Sequence, residues 1–226
     1  IIWKPSPRSN GCAQGIKNAW DKVSEDFSDL ILILEGGNEE SIALCEDSKI
    51  SLISATGSTK MGKELAPIVS ARLGKLLLEL GGNNAAIICP SADLDLTIKG
   101  VAFSACGTTG QRCTSLRRLF VHEEIYDECI LKLKEYVNNL IIGCPSKDTS
   151  QVGPLISEES FNTMQTILET LKAKGVQILG GERLKIEDPN EFYVRPALVL
   201  VDEIEDEMLK ETFAPILYIK KFSNLK

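Results

Sequence analysis

One cysteine of the chain lies in a segment whose composition suits a nucleophile. Cys113 belongs to the segment 107–114 (GTTGQRCT), which directly follows a predicted helix. Small neighbours and free backbone N–H groups in such a turn would leave a thiolate accessible and activated. Cys89 and Cys129 instead lie in an apolar run and on a helix face, where a cysteine usually fills the core. The pattern therefore favours Cys113 as the candidate nucleophile.

Two further segments place glycine beside polar groups at the end of a predicted strand. In the segment 78–84 (LELGGNN), Glu79 lies between leucines, where burial would suit a carboxylate to act as a general base. A solvent-exposed strand end is the alternative interpretation. In the segment 56–59 (TGST), a glycine before a helix would let a phosphate approach free N–H groups. This segment lacks the full GxGxxG pattern, so a turn without a ligand stays the alternative.

Composition excludes several classes of function. The 226 residues include 25 basic and 32 acidic side chains, a net charge of −7 without any Lys/Arg-rich run. This charge disfavours nucleic acid and anionic membranes as partners, and no apolar stretch approaches the roughly 20 residues of a membrane helix. Seven scattered cysteines and one histidine predict neither a metal site nor a disulfide framework. We expect a soluble cytoplasmic protein, with a mitochondrial location as the alternative.

The predicted elements alternate in the manner of an α/β protein. Strands are predicted over 1–3, 30–34, 50–55, 75–80, 85–89, 119–122, 176–179, 194–201 and 216–222. Helices are predicted over 11–27, from 38 onward, and over 59–73, 93–106, 124–140 and 157–174. Asn38 is expected to cap the second helix. Because the pattern of strand–turn–helix units changes near Gly81-Gly82, we place a domain boundary between residues 80 and 81.

Four segments, in order, resemble signatures of the NAD(P)-dependent aldehyde dehydrogenase superfamily. They are 3–5 (WKP), 78–83 (LELGGN), 110–113 (GQRC) and 211–215 (ETFAP). The variants GGNN, QRCT and ETFAPILY most resemble the antiquitin branch, the α-aminoadipic semialdehyde dehydrogenases. The similarity covers essentially the whole chain. It implies an α/β fold with a partial Rossmann-like NAD-binding domain over 1–80 and a C-terminally incomplete catalytic domain over 81–226.

The resemblance also implies a role for each matching residue. Cys113 would attack the carbon of an aldehyde substrate, and its N–H would stabilise the developing oxyanion. Glu79 would activate the water that hydrolyses the resulting thioester. Contacts to NAD, with NADP as the alternative, are implied for Lys4, Gly57, Ser58, Leu80, Glu211 and Phe213. A homo-oligomer of the complete chain follows in the same way.

Several positions depart from the pattern of that superfamily. Its oxyanion-hole asparagine lies upstream of Ile1, Ala55 replaces the usual Phe, and Pro7 stands where many relatives carry an acidic residue. Because the chain begins inside an apolar run, we expect an internal fragment of a longer protein. Two alternatives to an active dehydrogenase stay open. One is a truncated, catalytically inactive remnant, and the other is a thiol hydrolase that uses Cys113 and Glu79 without NAD.

Overall fold

The computed structural model describes residues 1–186 and 191–224. By its internal contacts the chain divides into two compact units, Ile1–Leu80 and Gly81–Lys226. Helices and strands alternate in both units, so the α/β fold class is confirmed. The assignment of the units as cofactor-binding and catalytic domains stays a prediction. Within the described residues, no helix is both long enough and apolar enough to cross a bilayer.

The first unit contains two pairs of parallel strands and three α-helices. Strand β1 (Ile2–Trp3) pairs with β2 (Leu32–Ile33), and β3 (Leu52–Thr56) pairs with β4 (Lys75–Glu79). The helices are α1 (Asn10–Val23), α2 (Asn38–Glu46) and α3 (Thr59–Ala71). The helix predicted over 11–27 ends at Val23, because a short 3₁₀ segment, Glu25–Leu30, follows it.

The N-terminus of α2 differs from the prediction. Gly37, not Asn38, is the N-cap residue, and the Glu40 carboxylate accepts a hydrogen bond from the Gly37 N–H at 2.7 Å. Hydrogen bonds from the backbone N–H groups of Glu40 and Gly37 lower the pKa of that carboxyl group. The prediction of an Asn38 cap was wrong because Asn38 is already the first residue of the helix, and the residue before it, Gly37, is the N-cap whose N–H the Glu40 carboxylate satisfies.

The second unit is built on one five-stranded sheet. Its strands are β5 (Asn84–Ile88), β6 (Leu116–His122), β7 (Gln177–Leu179), β8 (Ala197–Val201) and β9 (Ile216–Phe222), in the order β5-β6-β9-β8-β7. All neighbouring strands are parallel except β7 and β8. The helices are α4 (Leu94–Cys106), α5 (Tyr126–Asn138), α6 (Glu158–Ala173) and the single-turn α7 (Asp206–Leu209).

The central strands of this sheet are buried by two clusters of apolar side chains. One cluster joins α4 and α5 to the sheet and includes Ile98, Leu119 and Leu133. The other joins α6 to the sheet and includes Met164 and Tyr218. Because β5, β6 and β9 are parallel neighbours, their amino ends meet at the same edge of the sheet. The segments that precede these three strands are therefore brought together there.

Candidate active site

Cys113 lies in a tight turn directly before β6. The Ser115 N–H donates to the Arg112 carbonyl oxygen at 3.1 Å, and Ser115 Oγ accepts from the Arg112 N–H at 3.1 Å. Asn84 Nδ2, at the start of the neighbouring strand, donates to the Cys113 carbonyl oxygen at 2.8 Å. The Cys113 thiol is exposed. The turn thus fixes the backbone around an accessible thiol.

The N–H group of Cys113 has the property that an oxyanion donor needs. It donates to no acceptor in the described part of the chain, while the carbonyl group of the same residue is already bonded. A backbone N–H beside a nucleophile can stabilise the negative charge that develops when the nucleophile adds to a carbonyl carbon. Cys113 can therefore supply both the attacking sulfur and one oxyanion donor.

A left-handed stretch of backbone leads into this turn. Thr108, Thr109 and Gly110 have φ angles of +52°, +56° and +66°. A non-glycine residue in this region is strained by about 1–3 kcal/mol. Hydrogen bonds offset part of this cost, since Thr108 Oγ1 accepts from Arg112 Nε at 2.8 Å and Thr109 Oγ1 donates to the Gly153 carbonyl at 2.8 Å. Strain of this kind persists only where the surrounding structure holds it.

Arg117 is the buried charge that connects the segments at this edge of the sheet. It is 2% exposed, and its acceptors are the carbonyl oxygens of Gly82, Gly110, Arg112 and Thr212 and the Oε1 atom of Glu211, at 2.6–3.3 Å. Burial lowers the pKa of this guanidinium, and the charge of Glu211 opposes that effect. Arg117 was not among the residues predicted from the sequence; its signal there is a pair of arginines, Arg117 and Arg118, at the start of an apolar strand.

The Glu211 carboxylate accepts hydrogen bonds through one of its two oxygen atoms only, among the described residues. Its Oε1 accepts from Arg117 Nη2 at 3.1 Å and from the Gly82 N–H at 3.2 Å. Its Oε2 accepts no hydrogen bond from the residues that the structure describes. A Cβ atom at Gly81 would overlap Oε2, so an added side chain there would displace the carboxylate. The carboxylate therefore retains one free acceptor for a ligand hydroxyl.

Phe213 lies two residues after Glu211 and has one face against the same guanidinium. The carbon atom of the Arg117 guanidinium lies 5.4 Å from the centre of the Phe213 ring. The side chain is nevertheless 43% exposed. The guanidinium that bonds Glu211 thus also carries a partly exposed aromatic ring, which offers a flat apolar surface to a planar ligand.

The predicted site residues of the first unit lie where β3 and β4 end. Thr56 and Glu79 are partners in the parallel register, and the Gly57 N–H donates to the Glu79 carbonyl oxygen at 3.0 Å. Ser58 is the N-cap residue of α3 and accepts from the Met61 N–H at 3.1 Å. The Glu79 side chain is exposed, which confirms the alternative of a solvent-exposed strand end over burial between the leucines. Strand alternation places the flanking leucines, not Glu79, in the partly buried row.

Two other residues of the first unit are partly engaged. Lys4 Nζ donates to the carbonyl oxygens of Pro5 and Gly36, both at 3.1 Å, so two of its three protons are used. Leu80 packs against α3, where a Cβ atom at Gly62 would lie 2.6 Å from Leu80 Cδ1.

Among residues 1–186 and 191–224, no group of three or more His, Cys, Asp or Glu side chains could hold a metal ion.

Comparison with known proteins agrees with these motifs. The whole chain, residues 1–226, matches the aldehyde dehydrogenase family. It is 38% identical to the α-aminoadipic semialdehyde dehydrogenase of Rattus norvegicus over 99% of the chain and 42% of that protein. It is 39% identical to aldehyde dehydrogenase family 7 member A1 of Malus domestica over 100% of the chain and 45% of that protein. The chain thus spans less than half the length of these relatives.

Solved structures show the same similarity in three dimensions. The NAD-dependent aldehyde dehydrogenase from Sinorhizobium meliloti superposes with a TM-score of 0.90 at 25% identity, over 99% of this chain and 44% of that one. The HpcC protein from Thermus thermophilus gives a TM-score of 0.89 at 26% identity, over 99% and 45%. With the match over its full length, the chain belongs to the aldehyde dehydrogenase family.

Proposed function

We propose that this chain carries the nucleophile and cofactor carboxylate of an aldehyde dehydrogenase that oxidises an aldehyde to its acid with NAD, NADP being the alternative. The observation that carries the proposal is the Arg117 network. One buried guanidinium bonds the backbone of the Cys113 turn and the carboxylate of Glu211 at the same time. The nucleophile and a ligand-binding acceptor are thereby held at the same edge of one sheet.

The residues present fit a nicotinamide cofactor. Glu211 Oε2 is a free acceptor for a ribose hydroxyl, Gly81 leaves room beside it, and Phe213 offers an exposed ring. In the first unit, the third proton of Lys4 Nζ is the donor that remains for the other ribose.

The strand–helix turn of the first unit is the proposed pyrophosphate site. Gly57 contributes space there rather than a donor, because its N–H is already bonded to Glu79. Ser58 ends the same turn, and its Oγ is used to cap α3. Leu80 would limit the site through its packing on α3.

The proposed mechanism uses a covalent intermediate on Cys113. Its thiolate adds to the aldehyde carbon, and the thiohemiacetal oxygen receives a hydrogen bond from the Cys113 N–H. NAD, when bound, supplies the acceptor for the hydride, which leaves a thioester on Cys113. The exposed Glu79 carboxylate takes a proton from the water that hydrolyses this thioester. The acid is released and the free thiol is regenerated.

The proposed substrate is α-aminoadipic semialdehyde. This proposal is supported by the names of relatives at 36–38% identity from rat, cattle and mouse, each an α-aminoadipic semialdehyde dehydrogenase. We also propose that the complete protein is a homo-oligomer.

The test combines NADH formation with acylation of individual cysteines. The chain should form NADH from NAD and the semialdehyde, and Cys113→Ala should abolish this activity. With an activated acyl ester, mass spectrometry should find the acyl group on Cys113, and Glu79→Gln should make it accumulate. Cys12, which is also exposed, serves as the control in the same sample.

Each alternative predicts another outcome of the same test. Ester turnover that is independent of NAD, without NADH formation from any aldehyde, would indicate a thiol hydrolase. A folded chain that forms no NADH and leaves Cys113 no more reactive than Cys12 would indicate an inactive remnant, and the proposal would be rejected.

A further inference from the structure

Arg117 takes no part in the proposed chemistry, yet all of its donors are used. A guanidinium has five N–H groups, one on Nε and two on each Nη atom. Nε bonds to Gly82, the two Nη1 protons bond to Gly110 and Thr212, and the two Nη2 protons bond to Arg112 and Glu211. Its partners lie up to 95 positions away in the chain. An anchor for packing alone would not need to place the backbone of the Cys113 turn, at the Arg112 carbonyl oxygen, and the Glu211 carboxylate on the same nitrogen.

We propose that Arg117 is a positioning residue that makes the reactivity of Cys113 depend on the charge of Glu211. Nη2 bonds both the Glu211 carboxylate, at 3.1 Å, and the Arg112 carbonyl oxygen at the start of the Cys113 turn, at 3.1 Å. A change of charge at Glu211 therefore alters the hydrogen bonding of the same nitrogen that holds the Cys113 turn. The inference rests on the proposed role of Cys113 as the nucleophile.

The charges around the guanidinium support this coupling. Within the described residues, the titratable groups whose charges act on it are Glu211, Cys113 and Tyr218. Burial raises the pKa of Tyr218 to about 12, so this side chain is neutral at neutral pH. Glu211 is the ion-pair partner, with 23% of its side chain exposed. A Cys113 thiolate would thus be a second anion that competes with Glu211 for the same cation.

This competition predicts effects of opposite sign. Removing the Arg117 charge takes away the cation that attracts a thiolate, so Cys113 should react more slowly at neutral pH. Removing the Glu211 charge takes away the competing anion, so Cys113 should react faster. One unit charge at several Å across partly solvated protein corresponds to about a two- to tenfold change in rate. Loosening of the turn alone would change both rates in the same direction.

The experiment measures alkylation of Cys113 by iodoacetamide as a function of pH, in the whole chain without aldehyde or NAD. Peptide mass spectrometry gives the Cys113 and Cys12 rates separately, and Cys12 should keep the same rate in every variant. Arg117→Met should move the Cys113 profile to higher pH and Glu211→Gln to lower pH. Arg195→Met is the matched control, because it removes the same charge from another arginine that pairs with a glutamate, Glu182, at 3.1 Å. It should leave the profile unchanged.

The Cys113 alkylation profiles of the two variants either support the coupling or overturn it. Shifts of the same sign, or no shift in Glu211→Gln, would overturn the proposal. If Arg117→Met is unfolded by circular dichroism, the Glu211→Gln profile alone decides in the same way. A chain that forms no NADH but shows the opposite shifts would reject the proposed function and retain this coupling, so the two proposals fail separately.

Discussion

Replacement of Gly110 by alanine should destabilise the second unit, because this glycine lies against the backbone that leads into β9. An alanine Cβ would overlap the Ala214 carbonyl oxygen and lie 2.5 Å from its carbon, and φ at Gly110 is +66°. Ala214 is 2% exposed, and its backbone bonds to Thr212 at 2.8 Å and to Ile216 at 2.9 Å. The Ala214 segment therefore cannot move away without breaking these bonds.

The expected magnitude follows from these contacts. The left-handed φ costs an alanine about 1 kcal/mol, and overpacking against a fixed backbone costs about 1–3 kcal/mol more. A loss of about 2–4 kcal/mol in a unit of this size lowers Tm by roughly 5–15 °C. Thermal unfolding followed by circular dichroism measures it.

The matched control is Gly100→Ala, since Gly100 lies inside α4 and no atom lies within 4 Å of its added Cβ. This control should gain about 0.5–1 kcal/mol, because alanine is the better helix former. A Gly110→Ala protein with an unchanged Tm would refute the argument that this close approach holds the Cys113 segment to the segment after Glu211.

Two further predictions concern stability. Asp93→Ala should cost about 1 kcal/mol of unfolding free energy in urea, because it removes the bond from the Leu96 N–H to Asp93 Oδ1 at 3.1 Å, whereas Asp93→Asn should cost a few tenths. An equal loss in both variants would contradict capping. Burial raises the pKa of the Cys106 thiol from 9.0 to about 12 and that of Tyr218 from 10.0 to about 12. In the unfolded chain both groups lose their protons at a lower pH than in the folded protein. The free energy of unfolding is therefore retained below pH 9.0 and should fall as pH rises toward 12. Cys106→Ala should flatten the decline between pH 9.0 and 10.0; urea titrations that show the same slope in both proteins would contradict this assignment.

Local patterns were sufficient for most helices and strands. Strand β9 has the predicted bounds, and α6 differs from its prediction by one residue at each end. Both segments show a clear apolar periodicity, which depends only on neighbours in the chain. The start of β6 was predicted three residues late, because the charged Arg117 and Arg118 interrupt its apolar run.

Motifs and composition determined, from the sequence alone, the family, the α/β class and Cys113, Glu79 and Glu211 as candidates for chemistry. The tertiary structure decided how these groups are held. Arg117 can be buried because the segments before β5, β6 and β9 supply its hydrogen-bond acceptors. These segments come together only when the three strands pair in the sheet. The free Oε2 of Glu211 and the exposure of Glu79 were settled in the same way. Hydrogen bonds between distant segments depend on strand order, and no pattern of neighbouring residues contains that information.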